Sequence, residues 1–141
     1  MRFALALSAV MLAACASTPD VTAPTSPFAD GNSLPPQTLE PGECGLFGWD
    51  VSGPPRFVFF ATQSEGFAYV DNEIIALPAS ADIPAPNSTY GPVTLRLGPA
   101  EELDAGRRYA AARMKYEQAD GFSRTVPMVA VESCGPVERP F

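Results

Sequence analysis

From Gly42 onward, short runs rich in β-branched and aromatic residues alternate with clusters of Gly, Pro, Asp and Asn. That rhythm constrains the fold more than any other feature of the chain. Strands of this length bounded by turn residues build antiparallel sheets. Gly45–Val51 reads as a first strand, and Ser52-Gly53-Pro54-Pro55 turns the chain. Arg56–Thr62 is the most apolar segment and is expected to be a central strand buried on both faces. Phe67–Val70 and Glu73–Leu77 flank Asp71-Asn72, a two-residue hairpin turn able to adopt positive φ. In Val93–Leu97, Val93, Leu95 and Leu97 alternate with polar residues and should point inward. Asp120-Gly121 joins Arg108–Glu117 to Phe122–Ser133.

The segment 101–119 is ambiguous. Its Ala, Arg, Met, Lys and Glu content favours helix, whereas Gly106 and the Asp-Gly turn favour strand. We read Glu101–Ala105 as a helical turn and Arg108–Glu117 as a strand, with Ala110, Ala112, Met114 and Tyr116 on one face. Pro127 within the last strand argues for a sheet edge or a bulge. The expected fold is all-β and mainly antiparallel: a small disulfide-closed barrel or sandwich of about seven short strands, in a single domain over 42–141.

Cys44 and Cys134 lie near the two ends of that domain. As an even pair in an exported chain they read as a disulfide. Such a crosslink would stabilise a small domain by about 4–5 kcal/mol in the chain-entropy model.

Residues 15–41 read differently. Pro, Ser, Thr and Ala dominate, and no Lys or Arg occurs between residues 3 and 55. A segment of this composition buries too little apolar surface to offset its ordering entropy, so a disordered linker is expected. Extended at ~3.1 Å per residue, it would reach up to roughly 80 Å. Phe28 and Leu34 are its isolated apolar residues and could dock weakly on the domain.

Ahead of the linker, residues 1–14 have the form of a secretory signal peptide: a basic start at Arg2, an apolar run from Phe3 to Leu12 and small residues after it. The run is short of the roughly 20 apolar residues that span a membrane. Leu12-Ala13-Ala14-Cys15 resembles the lipobox of bacterial lipoproteins. The resemblance implies that Cys15 is lipidated and becomes the first residue of the mature protein. Several acyl chains would anchor it stably. Ala16 follows the cysteine, so the implied destination is the periplasmic face of the outer membrane.

Without residues 1–14 the chain carries 8 basic and 16 acidic residues, since Arg2 leaves with the signal. This acidity argues against nucleic acid as a partner. Histidine is absent from the chain. That excludes Ser-His-Asp and Cys-His nucleophile systems and most zinc sites. Carboxylate pairs remain available, but no spacing singles one out. We therefore expect no catalytic residues, no metal and no cofactor.

Three constellations are candidates for binding. Trp49, in Cys44-Gly45-Leu46-Phe47-Gly48-Trp49, reads either as an exposed stacking platform or, as the stronger reading, as a core residue beside the disulfide. Arg107, Arg108, Arg113, Lys115 and Arg124 form a basic stripe suited to an anionic envelope partner, unless Glu101, Glu102, Asp104 and Glu117 neutralise it. Pro78–Pro92 is a long loop in which Ile83 and Tyr90 offer apolar contact points.

Asp71–Leu77 and Ala105-Gly106-Arg107-Arg108-Tyr109 also resemble, in order, two motifs of the membrane-bound inhibitors of C-type lysozyme. That family has a small lipid-anchored β-barrel closed by a disulfide. The resemblance implies lysozyme as a partner, with Arg107, Tyr109 and Lys115 inserting toward its active-site carboxylates. The chain departs from the pattern at Ala105, where the family has serine. The leading expectation is a membrane-tethered, non-catalytic binding domain. Lysozyme inhibition is the alternative.

Overall fold

A computed structural model describes residues 32–79 and 86–137. Residues 1–14, read as a signal peptide from the sequence, together with Cys15, Phe28 and Ile83, lie outside the described residues. Nine strands run in order: β1 (Cys44–Asp50), β2 (Arg56–Ala61), β3 (Gly66–Val70), β4 (Glu73–Leu77), β5 (Asn87–Tyr90), β6 (Val93–Arg96), β7 (Ala100–Leu103), β8 (Gly106–Glu117) and β9 (Ser123–Cys134). All pairings are antiparallel. The sheet order is β4-β3-β2-β1-β9-β8-β6-β5, with β7 also paired to β8. The sheet curls into a nearly closed barrel. The all-β expectation holds, with nine strands where seven were expected.

The two additional strands come from segments read otherwise. Residues 100–103, expected to include a helical turn, form β7 against the start of β8. Their short run of Glu and Leu is decided by pairing with Gly106–Tyr109, not by helix propensity. Asn87–Tyr90, placed in the long loop, forms β5 and buries Tyr90 against the ring of Phe59.

Interior side chains follow the two-residue strand period. Leu46, Phe59, Val93, Leu95, Met114, Met128 and Ala130 are all fully buried. Val93, Leu95 and Leu97 alternate inward as expected. The turn at Asp71-Asn72 is also as expected, both residues having positive φ (50° and 66°).

Two bulges break the period. On β2, Val58 is the extra residue opposite Gly48-Trp49, which lets Val58 and Phe59 both be buried. On β8, Ala110 and Ala111 fall between the pairs Tyr109↔Ala130 and Ala112↔Met128. The expected alternation therefore fails at Ala110, which is exposed, and Tyr109 joins Ala112, Met114 and Tyr116 among the buried residues. β6 and β7 share the same side of β8 on either side of this bulge. Gly98 passes so close that a Cβ there would lie 2.9 Å from the Ala111 carbonyl oxygen.

Pro127 lies in an interior strand rather than at an edge or within a bulge. Its carbonyl accepts the amide of Val51, the first residue after β1. The missing proline N–H therefore falls where the neighbouring strand has just ended.

The domain also begins earlier than composition indicates. Residues 32–41, expected in the linker, lie on the outside of the sheet. The Leu34 amide donates to the Phe57 carbonyl at 2.7 Å, and the side chain is 1% exposed. Leu39 reaches Gly45, where a Cβ would lie 2.7 Å from its methyl. This strap explains how Phe60, on the outer face beside Phe47, is fully buried. β2 is thus buried on both faces, as expected, although β1 and β9 occupy the middle of the sheet.

Cys44 and Cys134 are cross-strand partners on β1 and β9 and are disulfide-bonded, with a Cα–Cα distance of 3.9 Å. They staple one end of the barrel. The other end is open.

Candidate functional site

The basic stripe read from the sequence separates into three places. Arg107 and Arg108 lie at the disulfide end, where Gly106 starts β8. Gly106 has φ +152°, and a Cβ would meet the Glu132 carbonyl oxygen head-on. Arg107 lies 3.3 Å from Glu102 and 3.8 Å from Glu132, and Arg108 lies 3.4 Å from Glu101. A hydrogen bond with Tyr109, followed by the charges of Glu132 and Glu102, raises the pKa of the Arg107 guanidinium. Tyr109 itself is 6% exposed and donates to Glu132 at 3.4 Å. The acidic neutralisation considered from the sequence thus occurs here, at Arg107 and Arg108.

Arg113 and Lys115 occupy a different surface, the outer face of β8. Here β-pairing places Arg96 directly opposite Arg113, and Thr94 and Thr125 on either side of Lys115. Thr89 on β5 faces Thr94. The result is an exposed four-strand face with three cations and three threonines in two adjacent rows, and Glu117 stands one row beyond Lys115 on the same face without forming an ion pair with it. Among the described residues, no carboxylate lies within 4 Å of Arg96, Arg113 or Lys115. Arg96 donates to Asn87 at 3.2 Å, which draws it toward the edge strand. Arg96 was not among the sequence candidates. Its signal was its place in the alternating β6 pattern, but the register that sets it beside Arg113 is a tertiary fact.

Arg124 belongs to neither group. It is the cross-strand partner of Tyr116, so it shares the inward-facing parity and stands at the open mouth of the barrel. A cavity of about 360 Å³ opens there. Asp50, Arg56, Asp71, Tyr116 and Arg124 stand around it above Met114 and Val58. Asp50 ends β1 with its side chain 5% exposed. Its Oδ1 accepts from the Ser52 amide and hydroxyl, and its Oδ2 accepts from Arg56 at 2.6 Å. Burial works to raise its pKa, but the bonds from Ser52 and then Arg56 outweigh burial and hold it below the usual carboxylate range.

Across the mouth, Asp71 Oδ1 accepts from the Tyr116 hydroxyl at 3.2 Å and from Gln118 at 3.0 Å. This latch ties the β3–β4 turn to the end of β8, two elements far apart in the sheet order. Burial, followed by the charge of Asp71, raises the pKa of Tyr116, while Arg124 opposes the shift.

Trp49 is not beside the disulfide in the core. It lies half-buried on the outer face of β1, near the opposite end of that strand, with its ring 5.5 Å from Phe57 and 6.3 Å from Phe47. The bulge at Val58 brings Phe57 opposite it.

Among the described residues, no group of three or more His, Cys, Asp or Glu is placed to hold a metal ion. No helix there is long and apolar enough to cross a membrane. The chain matches no protein-family model, and no curated protein or solved structure matches it significantly.

Proposed function

We propose that this protein is a lipid-anchored component of the bacterial envelope whose β-domain is a non-catalytic binding module. In this reading Cys15 carries the lipid and the N-terminal linker holds the domain off the bilayer. The outer face of β6, β8 and β9 docks on an anionic envelope component. One observation supports the docking surface above the others. A chain with net charge −7 gathers Arg96, Arg113 and Lys115 on one outer face, with no carboxylate within ion-pair distance among the described residues. Like charges placed directly across a sheet oppose folding, so the arrangement has no stabilising role of its own. An anion brought to this face would be steered and held by all three cations.

The test has two arms. Radiolabelled palmitate should enter the full-length protein in a bacterial host and be lost in Cys15→Ser, which should also leave the membrane fraction. Crosslinking in the native envelope should recover a dominant anionic partner, and a variant combining Arg96→Gln, Arg113→Gln and Lys115→Gln should lose it. Recovery unchanged in the triple variant refutes the docking face. The inhibitor reading has its own control. Lysozyme should remain fully active when titrated with the protein, and inhibition would displace the docking proposal.

A further inference from the structure

The mouth of the barrel carries a second, independent feature. Four charged residues surround a cavity of about 360 Å³: Asp50, Arg56, Asp71 and Arg124. Their formal charges cancel, but they are not paired alike. Asp50 and Arg56 form a close ion pair at 2.6 Å. Asp71 and Arg124 do not pair within 4 Å with any charged group among the described residues. Both act instead on one phenol: Asp71 accepts from the Tyr116 hydroxyl, and the charge of Arg124 acts on the same group. Tyr116 thus stands between a cation and an anion at a polar opening above an apolar floor of Met114 and Val58, both buried.

The two charges are not paired with each other. Asp71 is held in the β3–β4 turn with φ 50° and is bonded to both Tyr116 and Gln118. Register sets the Arg124 backbone opposite Tyr116 near the start of β9, and its side chain acts on the Tyr116 hydroxyl. The site is charge-balanced overall, yet it presents one separated positive and one separated negative group. A simple anion would leave Asp71, whose donors are both neutral, without a counter-charge, and a simple cation would leave Arg124 without one. The complementary ligand carries both charges in one small molecule.

We propose that this mouth is a binding pocket for a small zwitterion of the amino-acid or dipeptide class. The ligand carboxylate engages Arg124, with Arg56 beside it, and the ligand ammonium engages Asp71. Guanidinium–carboxylate contacts of this kind are charge-assisted and directional. The cavity lies at the small end of the ~300–1,000 Å³ range of ligand sites, which suits such a molecule and excludes much larger ones. The apolar floor would receive a small side chain. This pocket and the basic outer face are separate surfaces, and either can stand without the other.

The test uses the full-length protein and calorimetric titration with free alanine, free dialanine, N-acetyl-dialanine and dialanine amide. Free dialanine should bind, and blocking either terminus should weaken binding at least tenfold. Arg124→Gln should remove the penalty for amidation, and Asp71→Asn the penalty for acetylation. Asparagine tolerates the left-handed turn, so the second variant keeps the fold. The comparison of free with blocked ligands on the unmutated protein does not depend on any variant folding. Absence of binding by alanine and dialanine, or equal binding of free and blocked forms, overturns the proposal.

Discussion

The arrangement on the outer face makes an unusual prediction: removing Arg113 should stabilise the domain. Arg96 and Arg113 are direct cross-strand partners. Unit charges as close as opposed Cβ atoms, about 5.5 Å, would repel by about 0.8 kcal/mol at the dielectric of water, an upper bound for two long side chains that can splay apart. Arg96 leans toward Asn87, which lengthens its distance from Arg113 and reduces this term. Lys115, two residues along the same strand face, adds a smaller repulsion, which Glu117, two residues further on, partly offsets. The net gain from Arg113→Gln should therefore be about 0.3–0.8 kcal/mol at low salt, within the range of cross-strand pair effects. Glutamine keeps much of the aliphatic stem, so little packing is lost with the charge. For a domain of this size the gain corresponds to a rise in Tm of about 1–6 °C. In 1 M salt the screening length shrinks to about 3 Å and the gain should nearly vanish. Thermal unfolding of the oxidised protein at low and high salt measures both. A variant no more stable than the parent at low salt refutes the reasoning. A stabilisation that ignores salt would assign the effect to packing and refute it equally.

Three further outcomes follow from the structure. Reducing Cys44–Cys134, which closes a sequence separation of 90, should cost about 4–5 kcal/mol in the chain-entropy model, read from denaturant midpoints with and without reductant. Leu34→Ala, at a side chain 1% exposed, should cost about 2–4 kcal/mol and speed amide exchange in the strap; an unchanged midpoint would show that residues 32–41 are not part of the folded unit. Asp50→Asn should cost about 1.5–3 kcal/mol at neutral pH, because it weakens the charge-assisted bond to a half-exposed Arg56. The folded pKa of Asp50 is lowered, so its contribution is complete above the unfolded value near 3.9 and is lost as pH falls through the folded value. The stability gap between parent and variant should therefore close in acid, and a gap constant with pH would contradict the assignment.

Much of the architecture was legible because it rests on local chemistry. Two-residue alternation marked Val93, Leu95 and Leu97 as inward, Asp71-Asn72 announced a positive-φ turn, and the Asp120-Gly121 signal correctly joined two long strands. The misreadings share a cause: at each, a partner distant in sequence overrode local preference. Helix-forming composition at 101–105 yielded to pairing with β8. The bulge at Ala110-Ala111 shifted the parity that simple alternation assigned, and Tyr109 turned inward as a result. Proline-rich composition hid a strap whose one fully buried leucine is held by a backbone bond to Phe57.

The candidate surfaces divide along the same line. Residue types determined by themselves that histidine chemistry is unavailable, that a cysteine pair could staple the domain, and that a cluster of cations lies between residues 107 and 124. Sequence proximity could not say which of those cations act together. Strand parity sent Arg124 to the barrel mouth and Arg113 with Lys115 to the outer face, and register supplied Arg96 from another strand. Glutamates from β7 and β9 took up Arg107 and Arg108. Charge acts through distances of a few ångströms, and in a sheet those distances are set by pairing between segments far apart in sequence. The sequence therefore determined which charges the protein has, and tertiary structure decided which of them remain available to a partner.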